Sequence, residues 1–572
     1  MFKTLFPKKR RGYRLALFLS LIALLTAACS SAAGSGGSGS SGSSGSSGNS
    51  SGASGALSIV ASPAGPFSNG WNPFSLSTSA YVQGATGLIY EPLMQYNLAK
   101  AGQIYPWLAT SWSWADGGKQ LILHTRTGVK WSDGKPFTAA DVAFTFNLMK
   151  KFPALDGNGV SFTGASAPSP TEAIVNFAQP AYSQLFDVSQ VLIVPQHIWT
   201  GIANPVTYTN DNPIGTGPYL TTSFTAQEFT LNSNPHYWQP GLPKIATLRF
   251  LAYASNPSAG LALGQEQVDW STAYVPNYQT AFLDKNPQEN HISVSPIGDW
   301  YLCPNLTQAP FNNTTVRQAL SEAIDRNTIA SEGEHGYYFA SSSPTGLSLP
   351  RWQSSLAPQY ANLKLKFDPS AAKSLLESAG FKAGSNGMLN QPNGAPFKLT
   401  ILGPAPYTDF MTDAQLMASE LQQAGISASV SGVSVSDWSN DSATGNYQLT
   451  FCGEFTTNDP YSIYNYMFNS ALSAPVGKSA IGDFERWNNP QVDAALQAAA
   501  ATNDPSQLLQ AYTTIEGLMV QDVPVIPLFN GGAWALYTTN HAVGWPSASD
   551  PYEMNEVSSP WDEVVVLHLK PA

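Results

Sequence analysis

Two aspartates, Asp133 and Asp141, stand in the stretch KWSDGKPFTAADVAFTF, and a carboxylate pair is the minimum equipment for acid/base cleavage of a glycosidic bond. That chemistry needs the two groups held about 5 or about 6.5–9.5 Å apart, and spacing along a chain does not reveal such a separation. Both residues also have simpler uses. Asp133-Gly134 is a turn pair, and Thr138 is placed to cap a helix starting at Ala139. Asp141 then falls at the third helical position, where the helix dipole favours a carboxylate, and Phe137 and Val142 form a hydrophobic staple across the cap.

Other chemical motifs are weaker. The seven histidines, His124, His197, His236, His291, His335, His541 and His568, include no pair three to five residues apart, so the sequence supports no zinc site. Gly48 to Gly52 matches Gly-x-Ser-x-Gly, but it sits in a Ser/Gly tract with no strand or helix to raise a nucleophile. The GTGPY stretch lacks the Lys-Ser/Thr pair that closes a phosphate loop and reads as a turn. No cofactor is expected.

At 572 residues the chain exceeds the size at which one core keeps growing, so two or more lobes are expected. Charged residues make up only 11% of it, which leaves Ser, Thr, Asn, Gln and Gly to cover the surface and favours a secreted protein. The N-terminus agrees. A basic head containing Lys8, Lys9, Arg10 and Arg11 precedes LALFLSLIALLTAA, an apolar run too short to span a bilayer comfortably, so residues 1–28 read as an export signal. Removing them takes away six of 27 basic residues and no acidic one, shifting the net charge from −11 to −17. A body so acidic repels nucleic acid and anionic lipid heads.

LTAAC, ending at Cys29, resembles a bacterial lipobox in which the cysteine is lipidated. Thr26 departs from the usual leucine, leaving simple cleavage open. Ser30 to Gly55 is nearly all Ser, Gly and Ala, a flexible tether with a mean reach of about 30 Å. Cys303 and Cys452 remain, as one disulfide or as two buried thiols.

The body reads as mixed α/β. ALSIVA, ATLRFLAY, FKLTILG and VPVIPLF are expected strands, and Val129 to Ser132 a strand end. Thr315 to Ala330 carries apolar residues at helical spacing, and Pro369 to Phe381 reads as a helix closed by Gly380.

Tyr105 to Phe146 resembles the signature block of extracellular solute-binding protein family 5, the oligopeptide and dipeptide receptors of ABC importers. VPQHIW (194–199), PIGTGPY (213–219), NPHYWQPGLPKI (234–245), LGQEQVDW (263–270), APFNNTTVRQALSEAIDR (309–326), FDPSAAKSLLESAGF (367–381) and NDP (458–460) are similar to later family blocks, in the family's order. The resemblance runs from about Ala56 to the C-terminus. It implies an α/β, two-lobed periplasmic-binding-protein-like fold with mixed sheets, a hinge and an extra N-terminal subdomain. By analogy lobe 1 covers 56–298, with the subdomain near 105–196; lobe 2 covers 299–528, and 529–572 returns to lobe 1.

The resemblance also implies a monomeric receptor without catalytic residues. It would be tethered outside the membrane through Cys29 and deliver a peptide-like solute to ABC permease subunits. Ligand contacts are expected from Thr78, Ser79, Tyr81, Trp300, Tyr301, Glu454, Phe455, Thr456 and Asp459. The aspartate with which oligopeptide receptors bind the peptide amine is replaced here by Thr456, which lacks the charge, leaving Glu454 or Asp459 to supply it. An oligosaccharide receptor of the same fold is the alternative, and a secreted glycoside hydrolase the alternative of another class.

Overall fold

The computed structural model describes residues 54–572, apart from residues 76, 101, 158, 406, 454–456 and 458. Eleven strands form one sheet: β1 (Ser54–Val60), β2 (Tyr219–Phe224), β3 (Glu228–Ser233), β4 (Ile245–Leu251), β5 (Trp270–Ser271), β6 (Asn290–Pro304), β7 (Tyr338–Ala340), β8 (Lys398–Pro404), β9 (Ser427–Val433), β10 (Leu449–Gly453) and β11 (Ile526–Thr538). Their order is β9-β8-β10-β6-β11-β5-β1-β4-β3-β2, with β7 paired to β11. β6 and β11 are the two long strands, antiparallel from Asn290↔Thr538 to Leu302↔Ile526. Register shifts between Ser295 and Gly298 and between Trp300 and Tyr301 interrupt the ladder, and such irregularities bend a strand pair.

The core changes along this pair. Ile297, Ala533 and Ala535 belong to a hydrophobic cluster with Leu57, Ile59, Phe146, Tyr219 and Trp270. Trp300, Leu302 and Phe529 belong to a second, with Phe311, Leu320, Phe410 and Phe451. Tyr301 and Cys303, on the other face of β6, join a third with Trp352, Tyr464, Tyr512 and Ile515. Alternation along one strand thus supplies two separate cores. The disulfide alternative holds: Cys303 on β6 and Cys452 on β10 are bonded, their Cα atoms 6.0 Å apart.

A four-stranded antiparallel sheet (Ala109–Ala115, Gln120–Thr125, Glu172–Asn176, Gly164–Ser169) lies beside the helix Ala139–Lys151. Leu121, Leu123, Ala173 and Val175 alternate to its buried face, where Val142 and Phe146 also sit. The helix starts as expected: the Thr138 N–H donates to Asp141 Oδ2 at 2.9 Å, and Phe137 and Val142 are both buried. Asp141 Oδ1 accepts from the Gln196 N–H at 2.9 Å, while Asp133 Oδ2 meets His197 Nε2 at 2.8 Å. The two aspartates therefore dock the segment around Gln196 and His197 against this unit.

Three elements differ from expectation. Lys130 forms only an isolated bridge with Pro136. The helix expected over Thr315 to Ala330 ends at Glu322, because the Asp325 side chain accepts the Asn327 N–H at 3.0 Å and starts a new turn. The last expected strand begins at Ile526, since Val523 closes the preceding helix with φ +46°.

Candidate functional site

The segment around Thr78 is shaped by local capping. Thr78 Oγ1 accepts from the Tyr81 N–H at 3.2 Å, and Ser79 Oγ accepts from the Ser68 N–H at 2.9 Å. These bonds hold Tyr81 at the edge of a cavity of about 310 Å³, which Phe74, Phe186, Asp187, Gln190 and Trp561 also line. The hydroxyls of Thr78 and Ser79 are thus occupied in positioning, and Tyr81 is the residue of the three that borders space.

On the facing segment, Asp459 caps the helix Pro460–Phe468 by accepting the Ser462 N–H at 2.9 Å. Its carboxylate is close enough to bear on Asp187 and Tyr96, and the Tyr461 hydroxyl bonds with Ser183. Asp459 thus lies near Asp187, which lines the cavity beside Tyr81. Burial pushes the pKa of its carboxyl above the ordinary carboxylate value. Glu454, Phe455 and Thr456 lie outside the described residues.

Trp300 and Tyr301 point to opposite faces of β6, as neighbours in a strand must. The Trp300 ring packs edge-on against Phe410 at 4.7 Å, and its Nε1 is buried without a hydrogen-bond partner among the described residues. Tyr301 is 2% exposed and its hydroxyl donates to the Gly346 carbonyl at 2.6 Å, a packing position. Three rings from distant segments also meet: Tyr337 lies 4.9 Å from Tyr274 and 5.0 Å from Trp534. Tyr274 also borders a larger cavity of about 870 Å³, with Asn277, Lys285, Gly260 and Thr408.

Arg351 ties these parts together. Its Nη1 donates to the Ile297 carbonyl at 2.7 Å and its Nη2 to the Thr457 carbonyl, and its charge bears on Asp299, Glu553 and Asp459. Burial pushes Asp299 up to about 7 and Glu553 up to about 8. Neither Arg351 nor the Tyr274–Tyr337–Trp534 group was marked by the sequence. YYFA and AWALY advertise rings, but in a chain with 12% aromatic residues rings alone do not single out a pocket. Among the described residues no three His, Cys, Asp or Glu side chains gather as a metal centre.

The arrangement offers ring faces, buried N–H donors and carboxylates around a jointed strand pair. It suits holding a molecule, and known proteins with this architecture do so. Residues 103–474 match the family described as bacterial extracellular solute-binding proteins, family 5. The chain belongs to that family, whose members serve ABC importers outside the cytoplasm. It is 26% identical over 470 residues to the glutathione-binding protein GsiB of Escherichia coli O1:K1, covering 76% of this chain and 82% of that one. It is equally 26% identical over 467 residues to the GsiB of Shigella boydii serotype 4, with the same coverages. An oligopeptide-binding protein of Thermotoga maritima superposes with a TM-score of 0.80 at 26% identity, covering 90% of this chain and 99% of its own. The mannohexaose-bound structure of that T. maritima protein gives 0.74 at 25%, covering 90% and 98%. The fold is accordingly a two-lobed α/β binding-protein fold. Among the described residues no helix is long and apolar enough to cross a membrane.

Proposed function

We propose that this receptor clamps a peptide-like solute between its lobes and hands it on unaltered to the membrane subunits of an ABC importer. The observation that supports this most is that Trp300 on β6, packed on Phe410, and Trp534 on β11, in the ring group with Tyr274 and Tyr337, carry buried Nε1 donors without partners among the described residues. Rings supply contact area, and a peptide's carbonyls suit such donors. Solute touching both lobes favours the closed arrangement by its differential affinity. The lobes are taken as 56–298 and 299–528, with 529–572 returning to the first. The body acts as a monomer without catalytic turnover, cut after residue 28 and held to the membrane by lipid on Cys29, which lies outside the described residues.

An oligosaccharide is the second reading. It is favoured by Thr456 at the amine-binding position and by the mannohexaose bound to the T. maritima relative. Calorimetry of the body with a tripeptide mixture and with cellobiose separates the two: heat with peptides alone supports the first reading, and heat with cellobiose alone replaces it. Mass spectrometry of solute carried through purification identifies the class independently.

A further inference from the structure

Resting on the reading of the chain as a solute receptor, we propose that Glu563 is a positioning residue for the cavity beside Tyr81. It is held as the neutral acid, donates its proton towards Glu91 by way of Tyr237, and through Gln95 fixes the Pro560 wall of that cavity. Ser559, Pro560 and Trp561 line the cavity, whereas Glu91, Gln95, Tyr237 and Glu563 stand behind them.

Counting hydrogens places the proton. Glu91 and Glu563 are both 0% exposed, and the Tyr237 hydroxyl lies 2.9 Å from Glu91 Oε1 and 3.2 Å from Glu563 Oε1. A phenol has one hydrogen, so it serves one of the two oxygens. Glu91 Oε1 has the stronger claim. It also accepts from Trp107 Nε1 at 2.9 Å and from Trp238 Nε1 at 2.8 Å, and the Arg126 charge bears on Glu91. That set favours a carboxylate on Glu91 and leaves Glu563 Oε1 to bring the second hydrogen, donated to the phenol oxygen. Gln239 Nε2 donates to the same phenol oxygen at 3.1 Å, so its one hydrogen and two lone pairs are all used.

The other oxygen of Glu563 connects the pair to the cavity. Gln95, also 0% exposed, donates through Nε2 to Glu563 Oε2 at 2.8 Å and to the Pro560 carbonyl at 3.0 Å. Pro560 is pressed close on Gly87 as well, where a Cβ would come within 2.6 Å of the Pro560 Cα. An ionised Glu563 would oppose the Glu91 carboxylate in a site without water. The repulsion would push the helix Asp562–His568 and the Pro560 wall outward together.

Proton linkage supports the same arrangement. Burial, and after it the Glu91 carboxylate, push Glu563 well above the ordinary value of 4.5, while burial and both carboxyls keep the Tyr237 phenol protonated. Asp562, the next residue along the chain, is raised by its own burial and by Glu556. Glu563 thus holds its proton in the closed wall and loses it when the wall opens. Each pH unit above the ordinary value eases opening by about 10-fold, until the folded value is reached.

The test is amide hydrogen exchange across Ser558 to His568 in wild type, Glu563→Gln and Glu563→Leu between about pH 6 and pH 8, with thermal midpoints checking the fold. After correction for intrinsic rates, opening should ease about 10-fold more per pH unit in wild type than in Glu563→Gln, whose amide stands in for the neutral acid. The contribution of Asp562 is common to both and cancels. Infrared spectra at neutral pH should show a protonated-carboxyl band that Glu563→Gln lacks. Calorimetry with trialanine and with cellobiose then reads the wall through the solute. Whichever probe binds wild type should bind Glu563→Gln within about 2-fold and Glu563→Leu about 10-fold more weakly, because leucine cannot hold Gln95. Equal pH slopes in wild type and Glu563→Gln overturn the inference, as does a missing band or undiminished binding by Glu563→Leu. Failure of both probes to bind wild type counts against the solute reading alone. The exchange slope and the band need no solute and still uphold or overturn the buried proton and the wall it holds.

Discussion

Arg351 donates to the backbone carbonyls of Thr457 and Ile297, and so joins β6 to the segment that carries Asp459. The opposite Nη reaches Ile297 on β6, the last residue of that strand to pack in the first core before Trp300 enters the second. Desolvation lowers Arg351 only to about 10, so it stays charged at neutral pH beside Asp299 and Glu553. Arg351→Met leaves two carbonyls without their donor and two buried carboxyls without a counter-charge. A loss of about 2–4 kcal/mol in urea unfolding is expected, together with weaker solute binding. Arg351→Lys should recover little, because one ammonium does not reproduce the guanidinium fork that spans both carbonyls.

The Cys303–Cys452 bond closes a loop 149 residues long between adjacent strands of the large sheet. Cross-links of such span act chiefly by restricting the unfolded chain. Replacing both cysteines by serine should therefore cost about 2–4 kcal/mol in equilibrium unfolding. The Kd for any identified solute should change less than about 2-fold.

Burial raises many carboxyls in this protein, including Glu516 and Glu420 to about 7 and Glu553 to about 8. A raised carboxyl holds its proton in the folded state at a pH where the unfolded chain has lost it. Its stabilising contribution is complete below the ordinary value near 4.5 and disappears as pH climbs through 7 to 8. The thermal midpoint should accordingly fall between pH 5 and pH 8. Glu516 accepts from the Ala357 N–H at 2.9 Å through Oε2, and its Oε1 is buried without a partner among the described residues. Glu516→Gln keeps that acceptor without the charge and should flatten the slope, gaining on the order of 2 kcal/mol at pH 8. An unchanged slope would refute the assignment to Glu516.

What the sequence made legible follows from range. Thr138 and Asp141 are three residues apart, so a capping bond between them is written in the local spacing, and it forms at 2.9 Å. The partner of Asp141 on its other oxygen, the N–H of Gln196, is 55 residues away and has no local signature. Helix ends were lost where a side chain competes with the backbone, as at Asp325, or where a residue other than glycine takes a left-handed turn, as at Val523. Trp300 came from the family blocks, whereas Tyr274, Tyr337 and Trp534 meet because β5 and β7, beside which the two tyrosines lie, both pair with β11. Arg351 carries no motif at all; its role comes from the two carbonyls that the fold brings to it.

Trp300 and Tyr301 offer a final contrast, since adjacent residues on one strand face different cores. Tyr301→Phe removes a buried hydroxyl bonded to Gly346 and leaves that carbonyl unmet. It should cost about 1–2 kcal/mol of stability while leaving solute affinity within about 2-fold. Trp300→Phe keeps a ring against Phe410 but removes the buried Nε1, which has no partner among the described residues, and part of the ring area on β6. If Trp300 faces the solute, this variant should weaken binding by about 10-fold for a stability change no larger than that of Tyr301→Phe. Calorimetry and urea titration on both variants decide it: equal affinity losses, or a loss at Tyr301 alone, would move the contact surface to the other face of β6.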